Sequence, residues 1–272
     1  MKIPGSVRAA YESQHQDYER LQESVRKRVA GFRNARWHYE DRIKGLESFA
    51  LKLESGRCPD PRQMEDFFAC TLVVQNGSEL RRAEEIVKKE FILAERRPAD
   101  ARVTSSSPDT FRFDDLRLYV RWRDDPQLPP PKLDHLKFEI QIKTFLLHAW
   151  AIATHDLNYK TDAVDWGKER IAFQVRAMLE HAEVSITEAA TLAESDGLKR
   201  TNATIEHIRQ AIDMLKAIWR ADELPADLRR LATNVTDICR ALNLDIGEVQ
   251  RVIAVEDALG RGRHTLDLSP YG

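Results

Sequence analysis

The sequence predicts an α/β (α+β) chain, a mixed β-sheet flanked by helices and followed by an all-α C-terminal extension. Three observations carry this expectation. FRFDDLRLYVRW (111–122) and LKFEIQIKT (136–144) alternate apolar and charged residues with the period of a strand. Other segments of the first 160 residues repeat apolar residues at three- and four-residue steps, the period of an amphipathic helix. From Phe145 onward only the helical pattern occurs.

The elements follow in order. Val7, Tyr11, Tyr18, Leu21, Val25, Val29 and Phe32 share one stripe, so Ser6 to about Ala35 is a long helix. RWHYEDRIKG sets Trp37, Tyr39 and Ile43 against His38, Glu40, Arg42 and Lys44, as a strand does. LESFALKLES returns to helical spacing and ends at Gly56, before the breaker CPDP. MEDFFACTLVVQ is a helical turn entering a buried strand, Cys70–Gln75. Asn76-Gly77 is a turn, and Ser78 is placed to cap the helix ELRRAEEIVKKEF. RRPADARVTSSSPDT is polar and rich in proline and serine, a mobile loop. RDDPQLPPPKLD is an exposed connector between the two alternating strands. The longest later helix spans Lys168–Glu194, three shorter ones follow Arg200, and Arg261–Gly272 is a frayed tail. The expected divisions are an N-terminal helix at 1–35, a core at 36–162, a long helix at 163–198 and a helical appendage at 199–272.

Bulk properties exclude several classes. A formal net charge of −2 provides no overall attraction to nucleic acid, so any basic surface is local. Cys58, Cys70 and Cys239 lie far apart without a C-x-x-C pair, which argues for a reducing cytoplasm rather than a disulfide framework. The N-terminus turns polar at once, unlike a signal peptide, and the apolar run FLLHAWAIA is too short to span a bilayer. No Walker A, G-x-G-x-x-G or H-E-x-x-H sequence occurs. His148 and His155 lie seven apart with no third ligand, which argues against a transition-metal site. Arg26, Lys27, Arg28, Arg33 and Arg36 could line a path for RNA, although Glu19 and Glu23 interleave just upstream as on a solvated face.

The two alternating strands carry the chemistry. Lys137, Glu139, Gln141 and Lys143 share one face, and Phe113, Asp115, Arg117, Tyr119 and Arg121 share another. Neighbouring strands lined with acids and cations suit a polyphosphate held with magnesium: carboxylates take the hard ion and cations neutralise phosphate oxygens.

Three motifs then resemble the RelA/SpoT-type (p)ppGpp synthetase domain of small alarmone synthetases. EIQIKTFLLHAWAIATHDLNYK is similar to its closing motif, RIKGLESFALKLES to its R-x-K-x-x-x-S-x-x-x-K element, and MEDFFACTLVV to its D-x-x-G-x-R strand. The resemblance implies a nucleotidyltransferase-like synthetase fold and a magnesium-dependent pyrophosphokinase. It would move the β,γ-pyrophosphate of ATP to a 3′-hydroxyl, GDP or GTP being favoured. It implies Arg42, Lys44, Ser48, Lys52, Gln141, Lys143, His155, Tyr159 and Lys160 as ATP or phosphate contacts. Asp66 and Glu139 would hold Mg2+, with Glu139 also at the acceptor hydroxyl. Phe113, Asp115 and Arg117 stand where the family's G-Y-x-S-x-H binds the acceptor, and Ala69 and Thr71 replace the glycine and arginine of D-x-x-G-x-R. This rewritten acceptor side leaves two alternatives open. One is a toxin-like relative acting on adenosine nucleotides or the tRNA 3′ end, with an antitoxin partner. The other is a degenerate module that binds a nucleotide or protein. The resemblance also implies a homo-oligomer with interfaces on the C-terminal helices.

Overall fold

The computed structural model describes residues 2–56, 58–100, 102, 104, 107, 115–123, 133–158 and 165–259, without the side chains of 155–158 and 257. Phe113, Tyr159 and Lys160 therefore lie outside the described residues, as does the side chain of His155. The chain divides into two compact units, 1–192 and 193–272.

The first unit is built on a five-stranded sheet: β1 (His38–Ile43), β2 (Phe68–Val74), β3 (Ile92–Arg97), β4 (Leu116–Arg121) and β5 (Lys137–Thr144). Their spatial order is β1-β2-β5-β4-β3. Only β2 and β5 run parallel, with Ala69 opposite Glu139 and Thr71 opposite Gln141. The β1–β2, β3–β4 and β4–β5 pairs are antiparallel. The sheet is therefore mixed, as the sequence predicts.

Alternation decides which face each residue takes. Phe138, Ile140 and Ile142 of β5 meet Phe68, Cys70 and Leu72 of β2 and Leu118 and Val120 of β4 in one core. Helix α1 (Gly5–Phe32) covers this face with Tyr18, Leu21, Val25 and Val29. Helix α3 (Leu80–Glu90) adds Ala83 and Val87. Asp41 of β1 is the charged exception. Its side chain is only 2% exposed, and it accepts hydrogen bonds from Gln22 and Arg26 of α1, so a buried charge is paired rather than orphaned.

Helix α2 (Leu46–Glu54) follows β1 and is closed by Gly56, whose φ of 69° lies in the left-handed region. Helix α4 (Phe145–Asn158) continues directly from β5, and α5 (Trp166–Thr187) packs back on it. Asp165 caps α5 by accepting from the N–H groups of Gly167 and Lys168. The far end of α5 approaches Gly77 so closely that a Cβ there would stand 2.7 Å from the Thr187 hydroxyl. A short helix, α6 (Ala189–Ala193), comes next, so the continuous helix expected over Lys168–Glu194 breaks at Glu188. In the second unit α7 (Ala203–Ile218), α8 (Leu228–Ala241) and α9 (Ile246–Ala258) enclose Met214, Leu215, Ala232, Cys239 and Ile246. These are the three shorter helices the sequence predicts.

Two local expectations change. Residues 92–97 form strand β3, although Arg96 and Arg97 read as the start of a loop; their side chains are held by Glu84 and by Glu65 with Glu95. Ser78 is not the cap of α3. Asn76 accepts from the Ser78 N–H to close a short turn at 77–79, and α3 starts after it. The apolar residues of α5 do not all turn inward. Ala172 is buried, while Ile171, Val175, Met178, Val184 and Ile186 are exposed on this chain.

Candidate active site

The face of the sheet away from α1 and α3 is polar and forms one wall of a groove of about 710 Å3. Arg42 reaches it from β1, Arg117 from β4, and Gln141 and Lys143 from β5. Asp115 enters just before β4, and His148 and Trp150 close the side from α4. Each strand residue follows from period-two alternation: its sequence neighbours point into the core. Asp115 ties two cations of the groove together, with Arg117 Nη2 at 3.3 Å and Lys143 Nζ at 3.6 Å from Oδ2. Arg42 has no ion pair or hydrogen bond from its side chain to another described residue, so its guanidinium is available to a ligand.

A second cluster stands where β1 ends. Lys44 Nζ lies 2.9 Å from Asp66 Oδ2, and Lys52 Nζ lies 2.8 Å from Asp66 Oδ1. The backbone N–H of Lys44 donates to the Phe67 carbonyl, which fixes the strand end beside the acid. Burial pushes the Asp66 carboxyl up, but hydrogen bonds and charge from Lys52 and Lys44 outweigh it and hold the pKa below the usual value. Asp66 is therefore ionised at neutral pH. Ser48, in the first turn of α2, is exposed, and that helix begins without a side-chain cap.

Glu139 is 4% exposed and does not line the groove itself. Gln141, which does, donates to Glu139 Oε1. On the other side Glu139 faces Tyr119 of β4. Burial, reinforced by the Glu139 charge and opposed by Arg97, raises the Tyr119 phenol to about 12. Arg97 lies over the Tyr119 ring at 4.2 Å and donates to its hydroxyl at 3.0 Å. Glu65 joins this group, accepting from Arg97 at 3.0 Å and from Lys137 at 2.5 Å. Sequence reasoning placed Lys137 and Tyr119 on the correct face but missed Glu65, Glu95 and Arg97. The signal for Arg97 was short, because β3 offers only Ile92, Leu93 and Ala94 as apolar residues before ERR.

Three of the five basic residues of the N-terminal segment are already engaged within the protein. Arg26 pairs with Asp41, and Lys27 with Glu23. Arg28 stacks over Trp122 at 3.8 Å and donates to the carbonyls of Glu90 and Arg123. The sequence also underrated His148. Its third-ligand problem disappears in three dimensions, where His38 and Glu40 of β1 stand beside it. Burial, with help from the charges of His38 and Lys143 and against that of Glu40, lowers the His148 pKa.

The groove thus gathers Arg42, Asp115, Arg117, Gln141 and Lys143, with Glu139 reached through Gln141. Lys44, Lys52 and Asp66 form their own triad at the same strand end.

Comparison with known proteins agrees with this architecture. Residues 41–164 match the family described as the region found in RelA / SpoT proteins. The fold is similar to the small alarmone synthetase 1 from Bacillus subtilis, with a TM-score of 0.55 and 18% identity over 68% of this chain and 97% of that one. It is also similar to a GTP pyrophosphokinase family protein from Streptococcus pneumoniae, with a TM-score of 0.50 and 17% identity over 72% of this chain and 97% of that one. A search of curated proteins returns no match. Through residues 41–164 the chain carries a RelA/SpoT-type domain, folded like the small alarmone synthetases.

Proposed function

We propose that this protein is an ATP-dependent pyrophosphokinase that transfers the β,γ-pyrophosphate of ATP to the 3′-hydroxyl of a nucleotide, GDP or GTP being favoured. The observation that carries this reading is two groups of cations gathered on acids: Arg42, Arg117 and Lys143 with Asp115 in the groove, and Lys44 and Lys52 on Asp66 where β1 ends. Phosphoryl-type transfer needs positioning and dispersed positive charge more than covalent catalysis. The GTP pyrophosphokinase family name of the Streptococcus pneumoniae structure supports the same acceptor class.

In this reading Arg42 and Lys143 hold phosphate oxygens in the groove. Lys44 and Lys52 exchange part of their contact with Asp66 for phosphate, and the uncapped start of α2 at Ser48 offers backbone N–H groups to the same charge. His155, Tyr159 and Lys160 close the donor side. Phe113, Asp115 and Arg117 receive the acceptor: the ring stacks on a base, and the charged pair orients the sugar. Glu139 accepts the proton of the attacking 3′-hydroxyl while the oxygen bonds to the β-phosphorus of ATP. The bond from that phosphorus to the α-phosphate bridging oxygen breaks, and AMP leaves with the electron pair.

Asp66 and Glu139 would hold a magnesium ion: both offer only oxygen donors and Asp66 is ionised, with Lys44 and Lys52 giving up its two oxygens to the ion. Bound there, the ion would neutralise charge on the transferring phosphates. We also propose a homo-oligomer, supported by the exposed apolar side chains of α5; the molar mass from light scattering tests it, and a monomer would remove it.

The direct test supplies γ-phosphate-labelled ATP and Mg2+ with GDP, GTP, ADP, ATP or bulk tRNA in separate reactions. Label moved to GDP or GTP is the expected result. Label on ADP, ATP or tRNA would keep the chemistry and change the acceptor. No transfer to any of them would overturn the reading.

A further inference from the structure

Three metal-ligating side chains that the phosphate reading does not use meet at the wall of the groove. His38 and Glu40 are two apart on β1 and project to the same side, as alternation requires. Helix α4 brings His148 against them. The ligand atoms of the three residues all lie within 4.8 Å of one another, and His148 Nε2 is 3.7 Å from Glu40 Oε2. The His38 and His148 rings are 5.8 Å apart and tilted by 43°. Around Asp66 two lysines occupy both carboxylate oxygens. Glu40 has no lysine or arginine partner among the described residues, so nothing of like charge to a metal ion competes for it.

We propose that His38, Glu40 and His148 form a binding site for a divalent transition-metal ion of the zinc class. Two imidazoles and one carboxylate are a three-ligand set that zinc accepts with water in the fourth position. Imidazole nitrogen favours this class of ion over magnesium, which prefers oxygen throughout. Zinc bonds of about 2.0–2.2 Å set ligand atoms roughly 3.3–3.5 Å apart in a tetrahedron. The His148–Glu40 pair is already close to that spacing. His148 is buried while His38 and Glu40 are exposed, so the anchored imidazole is met by two side chains with room to close on the ion. Glu40 and His148 also line the groove, which puts the ion at its wall. The proposal needs no nucleotide and stands apart from the pyrophosphokinase reading.

The test uses the full chain, stripped with a chelator and then titrated in excess Mg2+ with Zn2+ by calorimetry and with Co2+ by visible absorption. The expected result is saturable binding of one ion per chain, with the intense Co2+ bands of a tetrahedral site. His38→Ala and Glu40→Gln, both at exposed positions, should each weaken Zn2+ by about tenfold or more, since even supporting contacts to ligands cost that much. Circular dichroism checks that both variants keep the fold. Unchanged Zn2+ affinity in both folded variants would assign the ion to other histidines or cysteines and overturn the proposal. Absence of saturable binding to the wild-type chain would do the same.

Discussion

The two faces of the five-stranded sheet share the same strands and obey opposite rules. On the face under α1 and α3, Phe138, Ile140 and Ile142 are almost fully buried among other apolar side chains. On the other, Lys137, Glu139, Gln141 and Lys143 form salt bridges and hydrogen bonds or face an open groove. Stability is concentrated on the first face, because burying apolar area is what favours folding. The proposed chemistry falls on the second, where Lys143, Gln141 and Arg117 border the groove. Neighbouring residues in one strand should therefore fail in different ways when changed.

The sharpest way to break that comparison is Glu139→Gln. Pyrophosphate transfer should fall by about a thousandfold or more, the upper range for loss of one electrostatic or acid–base group, while the melting temperature stays close to wild type. Equal turnover in variant and wild type would remove Glu139 from the reaction. Phe138→Ala, one residue away, should do the reverse. Losing a fully buried phenyl ring costs about 3–5 kcal/mol of stability, read as a lower urea midpoint. A midpoint near wild type would mean that the two faces are not as distinct as their burial indicates.

Arg42→Ala is a milder test on the polar face. Removing a charged hydrogen bond to phosphate should lower kcat/KM by roughly 10- to 100-fold, the kinetic equivalent of about 1.5–3 kcal/mol. Stability should not change, because Arg42 pairs with no described residue. A large loss of stability would show that this guanidinium is structural.

The smallest effect concerns acid. The Asp66 carboxyl titrates below its ordinary value in the folded chain, so it contributes stability above the unfolded carboxylate range, about pH 4, and loses it as pH falls through the folded value. Without the lysines only burial remains, and burial raises a carboxyl. In the Lys44→Met/Lys52→Met double variant the Asp66 titration, followed by carboxyl NMR, should move upward, and the share of stability that this acid loses on acidification should disappear, at the expense of stability at neutral pH. An unmoved titration would show that the lysines do not control this acid.

Much of the fold was legible because the polar face repeats with period two. The alternation in LKFEIQIKT assigns every residue from Lys137 to Thr144 to a face, and β5 keeps that assignment. Strand β3 was not legible, since ILAERR has too few apolar residues to alternate and is held by Arg96–Glu84 and the Arg97–Glu65 pair. The same limit applies within the site. Arg42, Lys44, Gln141 and Lys143 follow from local spacing, because each pair shares a strand or its end. The ties from Lys52 to Asp66, from Lys143 to Asp115 and from His148 to Glu40 join elements far apart in the chain.

By itself the sequence determined the periods, and hence which side chains share a face, where the sheet gives way to helices, and the order of motifs resembling a RelA/SpoT domain. Only the tertiary structure decided which faces meet. It turned Asp41 inward to Arg26, engaged Arg28 with Trp122, and set His38 and Glu40 beside His148. The reason is physical: periodicity is a property of neighbouring residues, whereas strand order and helix docking are settled by burying the whole apolar face at once.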